Sequence, residues 1–323
     1  MTKPIRTNKT ICLYCFGDLN VRRICTSCGK HGDLIVNAPH DLPVRTVLNK
    51  TYLIANTLGE GGFGITYLAW DLTRGIKVAV KEYYPVTYVT RTPSSNKVVI
   101  KSPAVQVATN RGLKRFVDEA RILQKINTLP GVVSVLNFFC ENDTAYIVME
   151  FLDGVSLHTH MKRKLRLSMD DALKILRPVM DSLAKVHSIG LIHRDISPDN
   201  ILLTKYGHVK LIDFGAAKSM NLDGRSMSVV LKHGFAPPEQ YHKSGLQGAW
   251  TDIYALGATI YYCLTGKLIP ESTQRMVKDT LIKPSLNGAK IAPRQEAALL
   301  KMLAVKPELR YRDMNTLIAA LYI

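Results

Sequence analysis

The chain has 323 residues, of which 46% are hydrophobic, and this is enough for two or three compact units with cores of their own. No run of about 18 apolar residues occurs, and residues 1 to 10 contain no apolar stretch. These absences exclude a membrane span and a secretory signal, so we expect a cytoplasmic protein. The formal net charge of +17 favours acidic protein, anionic lipid or nucleic acid as neighbours. The densest basic cluster, Lys162-Arg163-Lys164 with Arg166, fits a solvated helix face or loop, and a docking role is the alternative.

The first 28 residues hold four of the six cysteines. They form two Cys-x-x-Cys pairs separated by nine residues: Cys12, Cys15, Cys25 and Cys28. This spacing predicts a short zinc ribbon with four thiolates around a structural Zn²⁺, and it argues against disulfides or a redox pair. Such a segment is too short to bury a core, so the metal would supply much of its folding energy. Ribbons of this kind bind nucleic acid, bind protein or brace a neighbouring domain, and the sequence leaves these roles open.

The remaining candidate ligands are not needed for this site. His31 and His40 would be superfluous, since four sulfurs already complete the coordination of zinc. Cys140 and Cys263 lie in apolar stretches, so we expect both to be buried packing residues.

Residues 32 to 50 contain two prolines and scattered polar side chains, which indicates a linker or a strap along the next domain. A strand pattern over residues 52 to 58 then runs into Gly59-Glu60-Gly61-Gly62-Phe63-Gly64. The β-branched and aromatic residues 65 to 70 follow, so a second strand is expected and not the helix of a dinucleotide fingerprint. The glycines therefore lie in a β-hairpin whose backbone amides can approach phosphates.

The next predicted elements are a strand that carries a lysine and a helix. A strand over residues 77 to 81 ends at Lys81, and a helix with an apolar face follows around residues 113 to 123. The long stretch between them is expected to form an extra strand or loop. Two more strands are predicted over residues 132 to 139 and 145 to 149, around the turn Glu141-Asn142-Asp143.

A helix over residues 172 to 187, with a kink or an irregular turn expected at Pro178, leads into the stretch His193-Arg194-Asp195-Ile196-Ser197-Pro198-Asp199-Asn200. Asp195 can accept a proton from an attacking hydroxyl, and the amide oxygen of Asn200 can hold a hard cation such as Mg²⁺. Thirteen residues after Asn200, Asp213-Phe214-Gly215 supplies a second acid behind an apolar run. The order and spacing of these two stretches make ordinary polar turns an inadequate explanation.

The glycine hairpin, Lys81, the Asp195–Asn200 stretch and Asp213 together resemble the protein kinases. The run Lys81-Glu82-Tyr83-Tyr84-Pro85 is similar to a subset of bacterial Ser/Thr kinases. The resemblance covers about residues 50 to 323 and implies a two-lobed α+β fold, with a small antiparallel β lobe that carries one helix and a larger, mainly helical lobe. The expected boundaries are 1–45 for the zinc ribbon and linker, 46–151 for the small lobe and 152–323 for the large lobe.

The resemblance implies a serine/threonine kinase that uses ATP and Mg²⁺ and acts on hydroxyls of protein substrates. Asp195 would be the catalytic base, Asn200 and Asp213 the Mg²⁺ ligands, and Lys81 the phosphate-binding lysine. Glu119, which keeps the family's spacing to Leu123, would pair with Lys81. The positions implied to bind nucleotide are Gly59, Glu60, Gly61, Gly62, Phe63, Gly64, Ala79, Lys81, Glu119, Met149, Glu150, Leu152 and Leu202.

One departure from the family pattern concerns charge next to Asp195. Common Ser/Thr kinases have a lysine two residues after the catalytic aspartate, where this chain has Ser197. Lys232 falls where the common pattern has a threonine that faces that lysine. We therefore expect Lys232 to reach the Asp195–Ser197 region and to restore the missing cation beside the transferring phosphoryl group. A solvent-facing Lys232 is the alternative.

Arg194, beside Asp195, suggests control by a phosphate on the segment 213–239. That segment contains Ser219, Ser226 and Ser228 but no threonine or tyrosine, and Ser226 or Ser228 is the preferred site. A loop that is active without phosphorylation is the alternative.

Two further acids match structural positions of the family. Asp252, in an apolar helix expected to end near Gly266, would hold the backbone of the catalytic loop. Glu239 would form an ion pair with Arg310.

Three other functions compete with an active protein kinase. An ATP-binding pseudokinase scaffold is disfavoured because Lys81, Asp195, Asn200 and Asp213 are all present. A small-molecule phosphotransferase would not need the segment around Glu239 and Asp252, which builds a platform for protein substrates in the kinase family. A nucleic-acid-directed role would rest on the ribbon and the net charge alone.

Overall fold

The structure is a computed structural model that describes residues 11–32, 35, 37–62, 64–92, 95–213, 231–242 and 245–322, and the backbone of 218–219. Its strands are β1 Val47–Leu48, β2 Tyr52–Gly61, β3 Gly64–Asp71, β4 Ile76–Tyr83, β5 Val89–Thr90, β6 Val99–Ile100, β7 Val135–Glu141, β8 Thr144–Glu150, β9 Gly154–Ser156, β10 Leu191–Ile192, β11 Ile201–Thr204, β12 Val209–Leu211 and β13 Lys218–Ser219. Its helices are α1 Gln106–Lys125, α2 Leu157–Lys164, α3 Met169–Ser188, α4 Ala249–Thr265, α5 Ser272–Val277, α6 Pro293–Met302 and α7 Met314–Leu321. Within these ranges, no helix has the length and apolar character that crossing a membrane requires.

The chain divides into two compact units. The first contains the described residues up to Lys125 together with Ser134–Phe151, and the second contains Ile126–Val133 and the residues from Leu152 onward.

The first unit is built on a six-stranded antiparallel sheet in the order β1-β2-β3-β4-β8-β7, with α1 packed on β7 and β8. Alternation along these strands places apolar side chains in one core, which includes Ile54, Tyr67, Val80 and Val148. The β7–β8 hairpin turns on Asn142 and Asp143, both at positive φ, which matches the type of two-residue turn that fits the twist of a hairpin. The predicted start of β7 was early, because Val132 forms an isolated bridge with Leu211 in the second unit.

The stretch between Lys81 and α1 forms the short antiparallel pair β5–β6, as expected for an insert. Its Arg91 side chain forms a buried ion pair with Glu82 of β4. Tyr67 and Tyr146 also donate hydrogen bonds to Glu82, at 2.9 Å each. Burial raises the pKa of Glu82, and the Arg91 charge opposes that rise. The insert is thereby fixed to the sheet by a satisfied polar group inside the core.

One prediction about the cysteines was wrong. Cys140 is exposed, because it lies near the end of β7, which is an edge strand of the sheet. Cys263 is buried in α4, as expected.

The second unit is mainly helical, with small sheets formed by β12-β11-β9 and by β10-β13. The central helix α4 is buried along almost its whole length and ends at Gly266, whose φ of +69° provides the left-handed cap. Helix α3 packs against α4 and α7 and continues as a helix through Pro178. This core supports the short turn at Pro198–Asn200 and the strands that follow it.

Candidate functional site

The glycine-rich stretch forms the β2–β3 hairpin, in which Gly59 pairs with Thr66 and Gly61 with Gly64. A side chain at Gly64 would collide with the carbonyl oxygen of Glu82, which lies 2.4 Å from the position of a β-carbon. Side chains at Gly59, Gly61 and Gly62 would meet no atom of the described residues within 4 Å. Packing therefore explains Gly64 only, and the other three glycines fit a surface kept open for an approaching ligand. Phe63 lies outside the described residues.

Lys81 lies on β4, where it is the register partner of Thr66 in β3 and of Ile147 in β8. Its side chain extends toward the hairpin, since its Cε lies 3.9 Å from the position of a β-carbon on Gly64. Ala79 and Met149 are direct register partners on β4 and β8. The strands thus bring the predicted phosphate-binding lysine and two predicted nucleotide contacts onto one sheet.

Glu119 is buried on α1 together with Phe116, Ala120 and Leu123, so its carboxylate lies on the apolar face of that helix. Glu150 is the last residue of β8, and its carboxylate accepts a hydrogen bond of 2.7 Å from the Ser134 backbone amide. These contacts all lie in the first unit. Leu152 and Leu202, the other two predicted nucleotide contacts, belong to the second unit.

In the second unit, Asp252 organises the backbone that precedes Asp195. Its carboxylate is fully buried and accepts hydrogen bonds of 2.8 Å from the backbone amides of His193 and Arg194. His187 Nε2 lies 2.8 Å from the same carboxylate. Burial alone would raise the pKa of Asp252, but the hydrogen bonds from His187 and from the Arg194 backbone amide lower it. The predicted anchor role of Asp252 agrees with this geometry.

His193 is a neutral part of this turn. Burial lowers its pKa to about 4, and its Nδ1 accepts a 3.2 Å hydrogen bond from the Asp195 backbone amide. Arg194 has a φ of +71°, an uncommon conformation for a residue with a side chain, and its carbonyl accepts a 2.8 Å hydrogen bond from Gln240. The backbone entering Asp195 is therefore held from three directions, which fixes the aim of the Asp195 carboxylate.

Asn200 is joined directly to Asp195. Its Nδ2 donates hydrogen bonds of 2.8 Å both to the Asp195 carbonyl and to Asp195 Oδ2. Both amide protons are used in this way, so Oδ1 is the atom of Asn200 that remains for a cation. This oxygen is the type of hard ligand that Mg²⁺ prefers.

Asp213 lies at the same end of the β11–β12 hairpin as Asn200. Ile201 pairs with Leu211, and the Ile212 amide donates a 2.8 Å hydrogen bond to the Asn200 carbonyl. Asp213 is exposed and has a φ of +62°, a strained conformation of the type found at functional sites. The hairpin therefore places the backbone of Asn200 and of Asp213 at one end of the strand pair. An amide oxygen and a carboxylate are donors of the type that Mg²⁺ prefers.

Lys232 approaches the same turn from the segment before Gly234. Its Nζ donates a 2.8 Å hydrogen bond to Oγ of Ser197, which is fully buried. The same Nζ lies 3.9 Å from Asp195 Oδ1 and 3.8 Å from Asp199 Oδ2. A cation thus lies beside Asp195 although the residue two positions after it is a serine.

The Arg194 side chain is half-buried, and burial lowers its pKa to about 10, with only partial opposition from the Asp252 charge. Among the described residues, its Nε has no hydrogen-bond acceptor. Ser226 and Ser228 lie outside the described residues, as does the side chain of Ser219.

The predicted Glu239–Arg310 ion pair is present. The guanidinium donates to the two carboxylate oxygens of Glu239 at 2.7 and 3.2 Å, and Thr251 donates to one of them at 3.0 Å. Arg310 is almost completely buried and also donates to three backbone carbonyls. This pair fixes the end of the segment that carries Lys232.

The four N-terminal cysteines form a compact cluster whose sulfur atoms all lie within 4.8 Å of one another. Cys12 and Cys28 are 3.8 Å apart at sulfur, and Cys15 and Cys25 are 3.4 Å apart. Four sulfurs at about 2.3 Å from a tetrahedral Zn²⁺ would be separated by about 3.8 Å, so the cluster has the size of a zinc site. Burial raises the pKa of Cys12 and of Cys15, whereas the backbone amides of Cys28 and Ser27 lower the pKa of Cys25 to about 6 in spite of burial.

The cysteine module packs on the first unit's sheet. Ile11, Leu13 and Phe16 are buried against residues of β2 and β3, and the Phe16 ring stacks on Trp70 with centroids 5.1 Å apart. Arg45 donates a 3.1 Å hydrogen bond to the Ile11 carbonyl. The module therefore shares its apolar core with the strands that carry the glycine hairpin.

Residues 37 to 48 continue as a strap along the same sheet. The Asp41 carboxylate accepts a 2.7 Å hydrogen bond from Thr57, and the Leu42 amide donates to the Tyr67 hydroxyl at 3.0 Å. His40 Nε2 lies 3.0 Å from a carboxylate oxygen of Glu60, which lies inside the glycine stretch. The strap thus connects the cysteine module to the hairpin.

Sequence reasoning missed several of these partners. His187 on Asp252, Asp199 near Lys232 and His40 on Glu60 each join positions that lie at least 20 residues apart. No local pattern around these residues indicates the pairing, since each contact depends on the tertiary fold.

Comparisons with known proteins agree with this fold. The family model described as "Protein kinase domain" matches residues 82–317. The chain is 34% identical over 285 residues to "Serine/threonine-protein kinase D" of Synechocystis sp., covering 84% of this chain and 52% of that protein. It is 30% identical over 295 residues to "Serine/threonine-protein kinase PknA" of Nostoc sp., covering 86% of this chain and 48% of that protein. The chain thus spans about half the length of these relatives.

A solved structure titled "PpkA-294 apo form" is similar with a TM-score of 0.76 and 32% sequence identity, and the match covers 87% of this chain and 99% of that one. The family model, the relatives and this structure agree on one fold and one family. The chain belongs to the protein kinase domain family, and its relatives include bacterial Ser/Thr kinases.

Proposed function

We propose that the protein is a serine/threonine kinase that transfers the γ-phosphoryl group of ATP to hydroxyls of protein substrates, itself included. The observation that carries the proposal is the joined arrangement of Asp195, Asn200 and Lys232 in the second unit. A pseudokinase scaffold would have no need to keep an acid, an amide and a cation in contact at this turn.

In the proposed reaction, Asp195 orients the substrate hydroxyl and takes its proton as the oxygen attacks the γ-phosphorus. The bond from the γ-phosphorus to the β,γ-bridging oxygen breaks, and ADP leaves. Asn200 Oδ1 and the Asp213 carboxylate would hold Mg²⁺, which neutralises phosphate charge when bound. Lys232 would stabilise the charge on the transferring group, because Ser197 cannot do so.

In the first unit, the amides of the β2–β3 hairpin and Lys81 would hold the ATP phosphates, and Glu119 would position Lys81. Ala79 and Met149 would contact the adenine, and the backbone of Glu150 to Leu152 would be its hydrogen-bonding partner. Leu202 is the further nucleotide contact that the family resemblance implies. The open space at Gly59, Gly61 and Gly62 supports this assignment.

We propose a structural Zn²⁺ at Cys12, Cys15, Cys25 and Cys28, with the cysteine module acting as a brace for the β2–β3 hairpin. Support comes from the burial of Ile11, Leu13 and Phe16 on that hairpin's sheet, which uses the apolar surface of the module. Thiols that hold zinc must stay reduced, which favours the cytoplasm as the location.

We also propose that phosphate on Ser226 or Ser228 controls activity through Arg194. A dianionic phosphate would provide the acceptor that the buried Arg194 Nε lacks among the described residues.

The experiment that tests the function is incubation of the purified protein with Mg-ATP, followed by mapping of phosphorylated residues by mass spectrometry. Asp195→Asn is the matched control, since an amide keeps the shape but cannot accept the proton. Phosphate on Ser226 or Ser228 in the wild type alone would support an autophosphorylating kinase. Nucleotide binding without phosphate on the protein or on an added protein substrate would favour the scaffold.

A further inference from the structure

The cations of one basic surface in the second unit have no carboxylate partner among the described residues. The surface consists of Lys162, Arg163, Lys164, Leu165 and Arg166, with Lys267 and Leu286 beside them, and we refer to it as the α2 basic surface. All seven residues are exposed. The three stretches of sequence that build it, 154–169, 253–270 and 280–295, contain no aspartate or glutamate.

Hydrogen bonds make this surface continuous. Arg166 donates to the Asn287 carbonyl at 3.2 Å, and Lys267 donates to the Asn287 side chain at 3.1 Å. The Leu165 carbonyl lies 3.1 Å from the position of a β-carbon on Gly266. The end of α2, the residue after α4 and the turn around Asn287 therefore meet.

None of the five cations has a carboxylate within 4 Å in the part of the chain that the structure describes. The nearest acids in sequence have other partners. Asp171 receives a hydrogen bond from Ser168 at the start of α3, and Glu296 receives one from the Ser285 amide. The positive charge of the surface is therefore left for an external partner or for solvent.

Favourable interaction with the C-terminal end of α2 explains why basic residues are tolerated there, but it does not explain Leu165. Leu165 caps α2 with a φ of +63°, where glycine or asparagine is favoured, and 73% of its surface is exposed. Leu286, next to Asn287, is 76% exposed. Leu165 and Leu286 thus add two exposed apolar side chains to a group of cations that have no carboxylate partner among the described residues, a combination that could contact an acidic and apolar partner.

The surface adjoins the segment that carries Lys232. Leu268, which follows Lys267, has its Cβ 3.2 Å from the position of a β-carbon on Gly234. The Tyr262 ring of α4 stacks on His158 of α2, with centroids 6.0 Å apart, and meets Phe235 edge-on, with centroids 6.4 Å apart. A segment bound at this surface would therefore be held on the same unit as Asp195, close to the residues that follow Lys232.

We propose that the α2 basic surface docks an acidic, leucine-bearing segment of the protein substrate, at a distance in sequence from the phosphorylated hydroxyl. The positive charges of the surface are complementary to the negative charges of such a segment, and Leu165 and Leu286 provide apolar contacts for its leucines. The inference rests on the proposed kinase function, since it assigns the bound segment to a kinase substrate. Binding of the segment can still be measured without phosphoryl transfer.

The first experiment measures binding of a fluorescent peptide of alternating glutamate and leucine to the full chain, without ATP, by anisotropy. A peptide with glutamine in place of glutamate is the matched probe. The test variant is Lys162→Gln/Arg163→Gln/Lys164→Gln, and the control Lys174→Gln/Lys185→Gln/Lys306→Gln makes the same charge change at exposed positions elsewhere in the second unit. We expect the affinity for the glutamate peptide to fall by about tenfold or more in the test variant and to stay unchanged in the control. Added salt should weaken the binding of this peptide to the wild type. Equal effects of the two variants, or equal binding of the two peptides, would overturn the proposal.

Leu165→Gly separates docking from folding. Glycine relieves the positive φ, so this variant should be at least as stable as the wild type while it loses the apolar contact. Weaker peptide binding at unchanged or higher melting temperature supports the proposal. Unchanged peptide binding would remove Leu165 from the surface and would contradict the apolar part of the proposal.

The second experiment compares a serine peptide with the same peptide linked to the acidic segment. We expect the linked peptide to have a KM lower by about tenfold in the wild type but not in the triple variant, with similar kcat in both proteins. Phosphorylation of both peptides with equal KM would overturn docking and leave the kinase function intact. Binding of the acidic peptide without phosphorylation of either peptide would support docking and count against the kinase function. Phosphatidylserine vesicles test the alternative of a membrane surface. If the wild type binds the vesicles and the triple variant does not, while neither protein binds the acidic peptide, the proposal is overturned in favour of a membrane surface.

Discussion

Lys232 Nζ donates a 2.8 Å hydrogen bond to the buried hydroxyl of Ser197, and the same nitrogen lies 3.9 Å from Asp195. In the proposed reaction, these two residues, which lie 35 positions apart, would together supply what common Ser/Thr kinases obtain from one lysine two residues after the catalytic aspartate. The hydroxyl positions the ammonium group, and the ammonium group carries the charge.

We predict that Lys232→Ala lowers kcat by about 100-fold or more, because a preorganised charge at the transferring group is lost. Nucleotide affinity should change by less than about threefold, since the loss concerns the transition state. Steady-state kinetics and binding of a fluorescent nucleotide measure the two quantities separately.

A matched rescue distinguishes this role from a structural one. Ser197→Lys combined with Lys232→Thr restores the common arrangement and should recover part of kcat, whereas Ser197→Lys alone places two cations in one site. An unchanged kcat in Lys232→Ala would eliminate the proposed role.

The cysteine cluster leads to a prediction about the hairpin. Cys25→Ser should abolish stoichiometric zinc and increase amide hydrogen exchange in β2 and β3, because Phe16 and Ile11 pack on those strands. Zinc content by mass spectrometry and exchange by peptide mapping are the measurements.

Cys140→Ser is the matched control, since Cys140 is an exposed cysteine outside the four-sulfur cluster. It should retain zinc and show unchanged exchange. If Cys25→Ser loses zinc but leaves β2 and β3 as protected as in the wild type, the module does not brace the hairpin.

Local patterns predicted much of this architecture. The glycine hairpin and the helix ending at Gly266 follow from alternation, turn chemistry and capping, all of which are local. The Glu239–Arg310 and Asp252 contacts required the family resemblance, because no spacing rule joins residues so far apart in sequence.

The errors have physical causes. Cys140 lies in an apolar stretch but on an edge strand, and sequence does not show which strand forms the edge. Val132 continues an apolar run, yet it bridges to Leu211 in the second unit. The sequence left open whether the cysteine module braces a neighbouring domain. Its apolar residues show no helical or strand periodicity that would identify the sheet as their partner.

Burial of neutral His193 predicts a pH dependence of stability. Its pKa is lowered to about 4 in the folded protein, whereas an unfolded histidine has a value of about 6.5. The unfolded chain therefore binds the proton first as the pH falls, and stability decreases from about pH 6.5 to about pH 4. The loss attributable to this group is of order 3 kcal/mol, and it levels off below pH 4.

His193→Asn tests this assignment, because its amide oxygen can still accept the hydrogen bond from the Asp195 amide but does not titrate. Urea unfolding between pH 4 and 7, followed by a signal from the second unit, should show a shallower decline in the variant. Asp252 does not account for the same window, since its lowered pKa places its titration at more acidic pH. Equal slopes in both proteins would contradict the assignment to His193.

The buried Glu239–Arg310 pair gives a prediction about stability alone. Glu239→Ala leaves the guanidinium of Arg310 buried without its carboxylate, and we expect a loss of about 3–5 kcal/mol in the free energy of unfolding. Replacing both residues, as in Glu239→Leu/Arg310→Met, should cost less than Glu239→Ala, since no buried charge remains. The exposed pair Asp118–Arg121 provides the contrast: Asp118→Ala should cost less than about 1 kcal/mol. Denaturant unfolding of the three variants measures these losses. If the double variant is as unstable as Glu239→Ala, the three backbone hydrogen bonds of Arg310, and not its ion pair, fix the end of the Lys232 segment.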